Sequence, residues 1–154
     1  GPTDTPAGRV LRVGDYGAGA AAGTHLFGRA NILGAVTQSG GVPTGAVIEQ
    51  GSNANGNFVR FADGTQICWR RLQASTTIPG SHDWGFRSGG TAVTYPAAFI
   101  AAPRIAGIAV ELTALGISGA SISATGFNLV FLSVASISTS ATRSADYIAI
   151  GRWV

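Results

Sequence analysis

Six consecutive residues, His82-Asp83-Trp84-Gly85-Phe86-Arg87, carry the chemistry best suited to gripping a sugar. A saccharide offers C–H faces that stack on a flat apolar ring and hydroxyls that need planar polar partners. Trp84 is the candidate face, and His82, Asp83 and Arg87 are the candidate partners. Trp69 with Arg70 and Arg71, and Arg152 with Trp153, repeat the pairing in weaker form. Each cluster also has a structural reading. Trp84 can be a core tryptophan pinned between sheets, Asp83 a turn residue bonding its own backbone, and Arg152-Trp153 a protomer contact. Arg60 and Arg70 are candidate interface ion-pair partners for Asp63 or Glu111.

Catalysis has less to work with. The acids are Asp4, Asp15, Glu49, Asp63, Asp83, Glu111 and Asp146. A glycosidase needs two carboxylates about 5–10 Å apart across the scissile bond. Asp63 is committed to a turn by the glycine that follows it, and no acid sits in a distinctive motif. A pairing of Glu49 or Glu111 with an aspartate is the option left. There is no Gly-x-Ser-x-Gly elbow to present a serine beside a histidine. Cys68 is the lone cysteine, so no disulfide can close within the chain and the thiol reads as a small buried apolar group. His25, His82 and Asp83 would hold a metal only if subunits shared the site. The expectation is a protein that is not an enzyme, with no cofactor and no resident metal.

The elements that must position these residues are built from unusual material. Of 154 residues, 23 are Gly, 25 Ala, 13 Ser and 14 Thr. A chain in which small residues make up about half is not a coiled coil, which needs Leu, Glu and Lys. Charged residues are 11% of the chain, too few for a disordered charged tail. All ten basic residues are Arg, spread from Arg9 to Arg152 with only Arg70-Arg71 adjacent. That pattern lacks the dense patch of a nucleic-acid binder. No run reaches the ~18 apolar residues of a membrane helix, and no membrane insertion is expected. Gly1-Pro2 resembles the scar of a cleaved tag.

Turn chemistry and alternation predict strands throughout. Residues 1–8 read as tag scar and flexible lead. Arg9–Tyr16 has a short apolar pattern, Gly17–Gly23 is nearly pure Gly and Ala, and residues 18–32 leave room for a short helix. Thr37–Gly45 reads as a linker or turn, Ala46–Gln50 as a short strand and Gly51–Gly56 as a turn-rich loop. Asp63-Gly64 between Asn57–Ala62 and Thr65–Trp69 predicts a two-residue hairpin, since both turn positions favour positive φ. That register sets Ala62 opposite Thr65 and Phe58 opposite Trp69. It puts Phe58, Arg60, Ile67 and Trp69 on one face and Val59, Phe61 and Cys68 on the other. Apolar side chains on both faces predict a hairpin covered on both sides. Thr91–Thr94, Ala97–Ile100, Ile105–Leu112, Ala120–Ala124, Phe127–Leu132 and Tyr147–Trp153 are further expected strands. Ser133–Ala145 reads as a strand-edge loop with room for one short strand. The fold class expected is all-β, an antiparallel β-sandwich.

At these residues the chain resembles known proteins. The run from Gly51 to Trp69 is similar to a segment common in tail-fibre and tail-tip proteins of tailed bacteriophages and prophages, and Arg12–Gly17 to a second recurring piece of them. The last 75 or so residues resemble an H-type lectin domain, the module of discoidins and snail agglutinins. The matching parts are Asp83-Trp84-Gly85, the Phe99 to Pro103 spacing, Ala124-Thr125-Gly126-Phe127 and Tyr147–Trp153. The resemblance implies a homotrimer of six-stranded antiparallel sandwiches at the distal end of a fibre, recognising a cell-surface glycan. Lectins of this type use an arginine shortly before the Thr-Gly-Phe turn and a Trp-His pair in the strand after it. Here Leu115–Ala124 holds no arginine, and Asn128–Ala135 holds neither Trp nor His. No family binding residue carries over.

Together these readings divide the chain into a lead (1–8), a trimerising or attaching segment (9–50) and a receptor-binding sandwich (51–154). The function expected is that of a phage tail-fibre tip, located in the virion, that binds a host-surface carbohydrate without cutting it. Its other partners would be two copies of itself and tail proteins at the amino-terminal end. The small-residue segment and low charge predict an unstable isolated monomer. A structural trimerising cap without receptor contact and, further off, a polysaccharide depolymerase are the alternative readings.

Overall fold

A computed structural model describes residues 32–82, 85–110 and 116–154. The expectations for Arg9–Tyr16, Gly17–Gly23, the short helix, His25, Asp83, Trp84 and Glu111 fall outside the described residues.

The described chain is all-β, and its named strands all pair antiparallel. In order the strands are β1 (Gln38–Ser39), β2 (Val42–Pro43), β3 (Ile48–Asn53), β4 (Gly56–Phe61), β5 (Thr65–Ile78), β6 (Gly80–His82), β7 (Gly85–Arg87), β8 (Thr91–Thr94), β9 (Arg104–Ala109), β10 (Gly116–Ala120), β11 (Gly126–Ser133) and β12 (Ile137–Arg152). One sheet runs β3-β4-β5-β12-β9. The other runs β10-β11-β7-β6, with β8 also paired to β11, and β1-β2 form a small hairpin. Two five-stranded sheets thus replace the six strands that the lectin resemblance implies.

The sheets face each other across one core. From the first sheet come Cys68, Leu72, Ala145, Tyr147 and Ala149; from the second come Val93, Phe127, Leu129 and Phe131. Strict alternation produces this. In β11, Phe127, Leu129, Phe131 and Ser133 are buried, and the residues between them are only half-buried. Tyr95, Phe99, Phe127 and Tyr147 make an aromatic cluster, with Tyr95–Phe99 and Phe127–Tyr147 meeting edge to face at 5.1 and 5.2 Å. Such contacts add roughly 0.5–1.5 kcal/mol each beyond area burial. At one side of the sandwich Ile117 of β10 lies over Gly107 of β9, a closeness that a larger residue at 107 would prevent.

Several expectations change. The hairpin at Asp63-Gly64 has a three-residue loop. Gly64 N–H donates to Phe61 O at 3.0 Å, and Gly64 has φ +92°. Asp63 stays out of the positive-φ region, so the two-residue type I′ turn does not form. Its carboxylate instead accepts from Thr65 N–H at 2.8 Å and from the Thr65 hydroxyl at 3.1 Å. The pairing shifts by one: Phe58 stands opposite Cys68, Val59 opposite Ile67 and Asn57 opposite Trp69. A one-residue shift exchanges faces, so Ile67 and Trp69 share the Val59 face, while Phe58, Arg60, Gln66 and Cys68 look inward. The type I′ geometry occurs at Gly40-Gly41, both at positive φ between Ser39 and Val42.

Gly51–Asn53 extend β3, leaving only Ala54-Asn55 as the turn. The Asn53 side chain holds it, accepting Asn55 N–H at 2.8 Å. Ala97–Ile100 is not a strand. The carbonyls of Ala97 and Ala98 accept from the buried Gln66 amide at 3.0 and 3.2 Å, and the N–H groups of Phe99 and Ile100 go to Ala124 and Arg152. With its groups taken from several directions, the segment crosses the sandwich end as a loop. Ala120–Ala124 is mostly turn, since β10 ends at Ala120 and the Ser123 hydroxyl accepts from the N–H groups of Thr125 and Gly126. The expected edge loop Ser133–Ala145 contains the start of β12, the longest strand, which pairs with β5 on one side and β9 on the other.

Candidate functional site

The sandwich exposes one recess that contains a residue named from sequence. Strands β7 and β8 both dock on the same edge of β11, with Arg87 opposite Leu132 and Thr91 opposite Leu129. Between these pairs three residues, Ser88, Gly89 and Gly90, face two, Val130 and Phe131. This one-residue surplus is the signature of a bulge, a device common beside binding sites. Ser88 anchors it: its N–H donates to Phe131 O, and its hydroxyl accepts Phe131 N–H and donates to Gly89 O, at 2.9–3.0 Å.

The bulge opens a hollow of about 440 Å³ on the outer face of this sheet, lined by Pro79, Gly80, Arg87, the bulge, Ala120, Asn128 and Val130. Arg87 is exposed and Asn128 half-exposed. The guanidinium and the amide are both planar and suit hydroxyl or carboxylate groups. The size fits one or two sugar rings, within the ~300–1,000 Å³ usual for small-ligand sites. Sequence reasoning named Arg87 and missed Asn128 and the bulge. The available signal was Gly89-Gly90 between two extended runs, together with an outward-facing Asn between buried Phe127 and Leu129.

Of the other named residues, Trp69 and Arg70 are not gathered here, and Asp83 and Trp84 lie outside the described residues. His82 ends β6, with its backbone opposite Gly85. Trp69 and Arg70 are neighbours in β5 and therefore point to opposite faces. Trp69 is 41% exposed on the outer face of the first sheet, while Arg70 shares the inward face with Tyr147, its cross-strand partner. Arg71 lies outward and donates two hydrogen bonds to Asp146 at 2.7 and 2.8 Å. Those bonds hold the Asp146 carboxyl below its ordinary range.

Arg60 does not reach Asp63. It donates to Gln66 at 2.7 Å and lies 3.9 Å from the Glu49 carboxylate. Trp153 is half-buried against the β4–β5 turn, its indole N–H donating to Phe61 O at 2.9 Å and its ring under Arg60.

Among the described residues the acids have structural partners. Glu49 accepts Val36 N–H at 3.1 Å and faces Arg60, Asp63 caps its turn, and Asp146 pairs with Arg71. Burial pushes the Cys68 thiol up, away from a reactive thiolate. No cluster of three or more metal-ligating side chains occurs among the described residues.

No family model matches the sequence, and no curated protein matches it. The fold is similar to that of an N-truncated R1-type pyocin tail fibre, with a TM-score of 0.50 at 18% identity, covering 68% of this chain and 84% of that one. A structure of the carboxy-terminal part of the P. aeruginosa R1 pyocin fibre aligns at TM-score 0.48 and 18% identity, covering 98% of this chain and 40% of that one. The tailspike protein gp49 from Pseudomonas phage LKA1 aligns at 0.45 and 15%, covering 59% and 16%.

Proposed function

We propose that the chain is a tail-fibre tip of a phage or phage-tail-like particle, trimeric in the assembled fibre, that attaches the particle to a host-surface saccharide by binding without cleavage. The observation that carries this is the hollow beside the Ser88–Gly90 bulge, whose largely apolar lining includes the planar polar groups of Arg87 and Asn128. The likeness of the sandwich to the pyocin tail fibre supports the setting. Among the described residues Glu49, Asp63 and Asp146 are all engaged in local structure, which favours binding without cleavage.

A shallow site of this kind binds weakly. Repetition over three copies per fibre and several fibres per particle multiplies weak contacts into firm attachment, by a factor of about 10²–10⁴ when geometry allows. The lectin-like resemblance belongs to this reading as a scaffold, with the hollow serving in place of the missing arginine and Trp-His pair.

The test is retention of the labelled protein on bacterial cells and on arrays of bacterial surface polysaccharides. Wild type should decorate cells and block adsorption of the parent particle, and Arg87→Ala should lose at least about tenfold in binding, since a charge-assisted hydrogen bond is worth roughly 1.5–3 kcal/mol. A protein that binds no cell and no array saccharide is instead the structural cap, a reading favoured by the absence of an aromatic side chain among the described residues that line the hollow. Release of reducing sugar would mark a depolymerase.

A further inference from the structure

The first sheet has an outer face that nothing in the described chain covers. Cross-strand register aligns Val59, Ile67 and Ile150 in one row and Trp69, Ile148 and Ala106 in the next, with Ile108 beside Asp146 in the row after. All point away from the core, because the rows between them hold buried Cys68 and Ala149, and Tyr147. Trp69, Ile148 and Ile150 are 40–44% exposed and Ile108 is 65% exposed.

Towards its end strand β12 inverts the ordinary arrangement: it buries Ala145 and Ala149 at 0% exposure and presents Ile148 and Ile150 outward. The second sheet does not do this. Its outward positions include Thr94, Ser118 and Asn128, with only the half-buried Val130 and Leu132 as larger apolar residues.

The exposed parts of these side chains amount to roughly 400 Å² of apolar surface, the size of the largest and often functional patch on a typical protein and about half of the ~800 Å² per partner that a specific protein interface buries. Polar groups ring the patch: Gln50, Ser52 and Asn57 on the β3–β4 side, Arg104 on β9, and Arg71 joined to Asp146 by two hydrogen bonds. An apolar centre with a polar rim is interface anatomy. The Arg71–Asp146 pairing also cancels the two charges in the row next to Trp69, leaving Arg104 as the charge at the β9 rim.

We infer that a second copy of this chain covers the outer face of β4, β5, β12 and β9, with Trp69 near the centre of the contact. The inference rests on the fibre reading above only for the number of copies. It assigns Trp69 to protomer packing and leaves the hollow at Arg87, on the opposite sheet, open to ligand.

The experiment is light scattering of the full chain over a wide dilution range, for wild type, Ile108→Glu, Ile148→Glu and Ser118→Glu, the last on the other sheet. Expected are an oligomer for wild type and Ser118→Glu, and a species of the 15.5 kDa chain mass for both isoleucine variants. A carboxylate buried without a partner should raise the half-dissociation concentration by roughly 100-fold or more. A wild type that stays at the chain mass overturns the inference, as does an oligomer that survives both isoleucine substitutions.

Thiol labelling of Ile108→Cys gives an answer that does not depend on how the glutamate variants fold, since Cys68 is buried. Protection that disappears on dilution supports the contact. Protection in a species of chain mass would show the face covered by residues 1–31 or another part of the same chain, and overturns it. Saccharide binding is measured separately, so loss of this interface and loss of the adhesin reading are distinguishable.

Discussion

Replacing Tyr147 and Tyr95 by Phe isolates an energetic feature of the core. Both rings are 3% exposed, and neither hydroxyl has a hydrogen-bond partner among the described residues. An unsatisfied buried hydroxyl costs about 1–3 kcal/mol, while Phe keeps the ring packing. Each substitution should therefore stabilise at pH 7 by about 1–2 kcal/mol, or roughly 2–4 °C in Tm per kcal/mol for a chain of this size.

The pH dependence gives a second, independent magnitude. Burial, with repulsion from ionised neighbours, pushes both phenols from 10 up to about 12. The unfolded chain releases these protons near pH 10 and the folded chain holds them to about 12. Their contribution is complete below pH 10 and disappears as the pH rises through that window. The loss approaches about 2 kcal/mol or more per tyrosine, and because the two hydroxyls interact, it belongs to the pair. Urea unfolding at fixed protomer concentration, between pH 7 and 12, is the assay. The Cys68 thiol is present in wild type and variants alike, so the difference reports the tyrosines together with their coupling to it. A double Phe variant that is less stable than wild type at pH 7, or that loses stability above pH 10 as steeply as wild type, would refute this reasoning.

Two glycines make a graded pair. A Cβ at Gly126 collides with the Val93 carbonyl oxygen, a backbone atom that cannot yield, so Gly126→Ala should break the β8–β11 pairing and cost more than about 3 kcal/mol in urea unfolding. A Cβ at Gly51 meets the Phe58 ring, which can turn, and Gly51→Ala should cost about 1–3 kcal/mol. Equal effects would show that ring and backbone yield alike. Asp63→Ala removes two bonds to Thr65 and should cost about 0.5–1.5 kcal/mol at pH 7. Those bonds depress the Asp63 pKa from 3.8, so its contribution is present above about pH 4 and fades as the pH falls below it. The gap between wild type and Asp63→Ala in thermal denaturation should close in acid.

The fold class could be read from turn signals and alternation, because strand ends marked by Gly, Asn and Asp are local chemistry. Register could not. Asp63-Gly64 and Gly40-Gly41 both look like two-residue turns. What separates them is that Asp63 can satisfy Thr65 through its carboxylate and so avoids positive φ, while Gly40 meets no steric penalty there. That choice moves Trp69 to the outer face and exchanges the neighbours of every residue in the hairpin.

Strand β12 was obscured for a related reason. Its Ser/Thr/Ala start has no bulky alternation, and its order comes from lying between β5 and β9, two partners distant in sequence. At the candidate site, Arg87 stood out by residue type. Asn128 became visible only once β7 and β8 were placed on one edge of β11, which is tertiary information.

The placement of β12 has a kinetic consequence. It follows both β5 and β9 in sequence and fills the gap between them, since the two do not pair with each other within the sheet. Until residues 137–152 have left the ribosome, β5 has an unpaired edge and β9 has no neighbour in its layer. The half-finished sheet resembles a zip missing one row of teeth, open to strands from nascent chains nearby. Closure depends on contacts between remote residues, which makes folding slow. It also makes completion abrupt, because a single segment seats both sides at once.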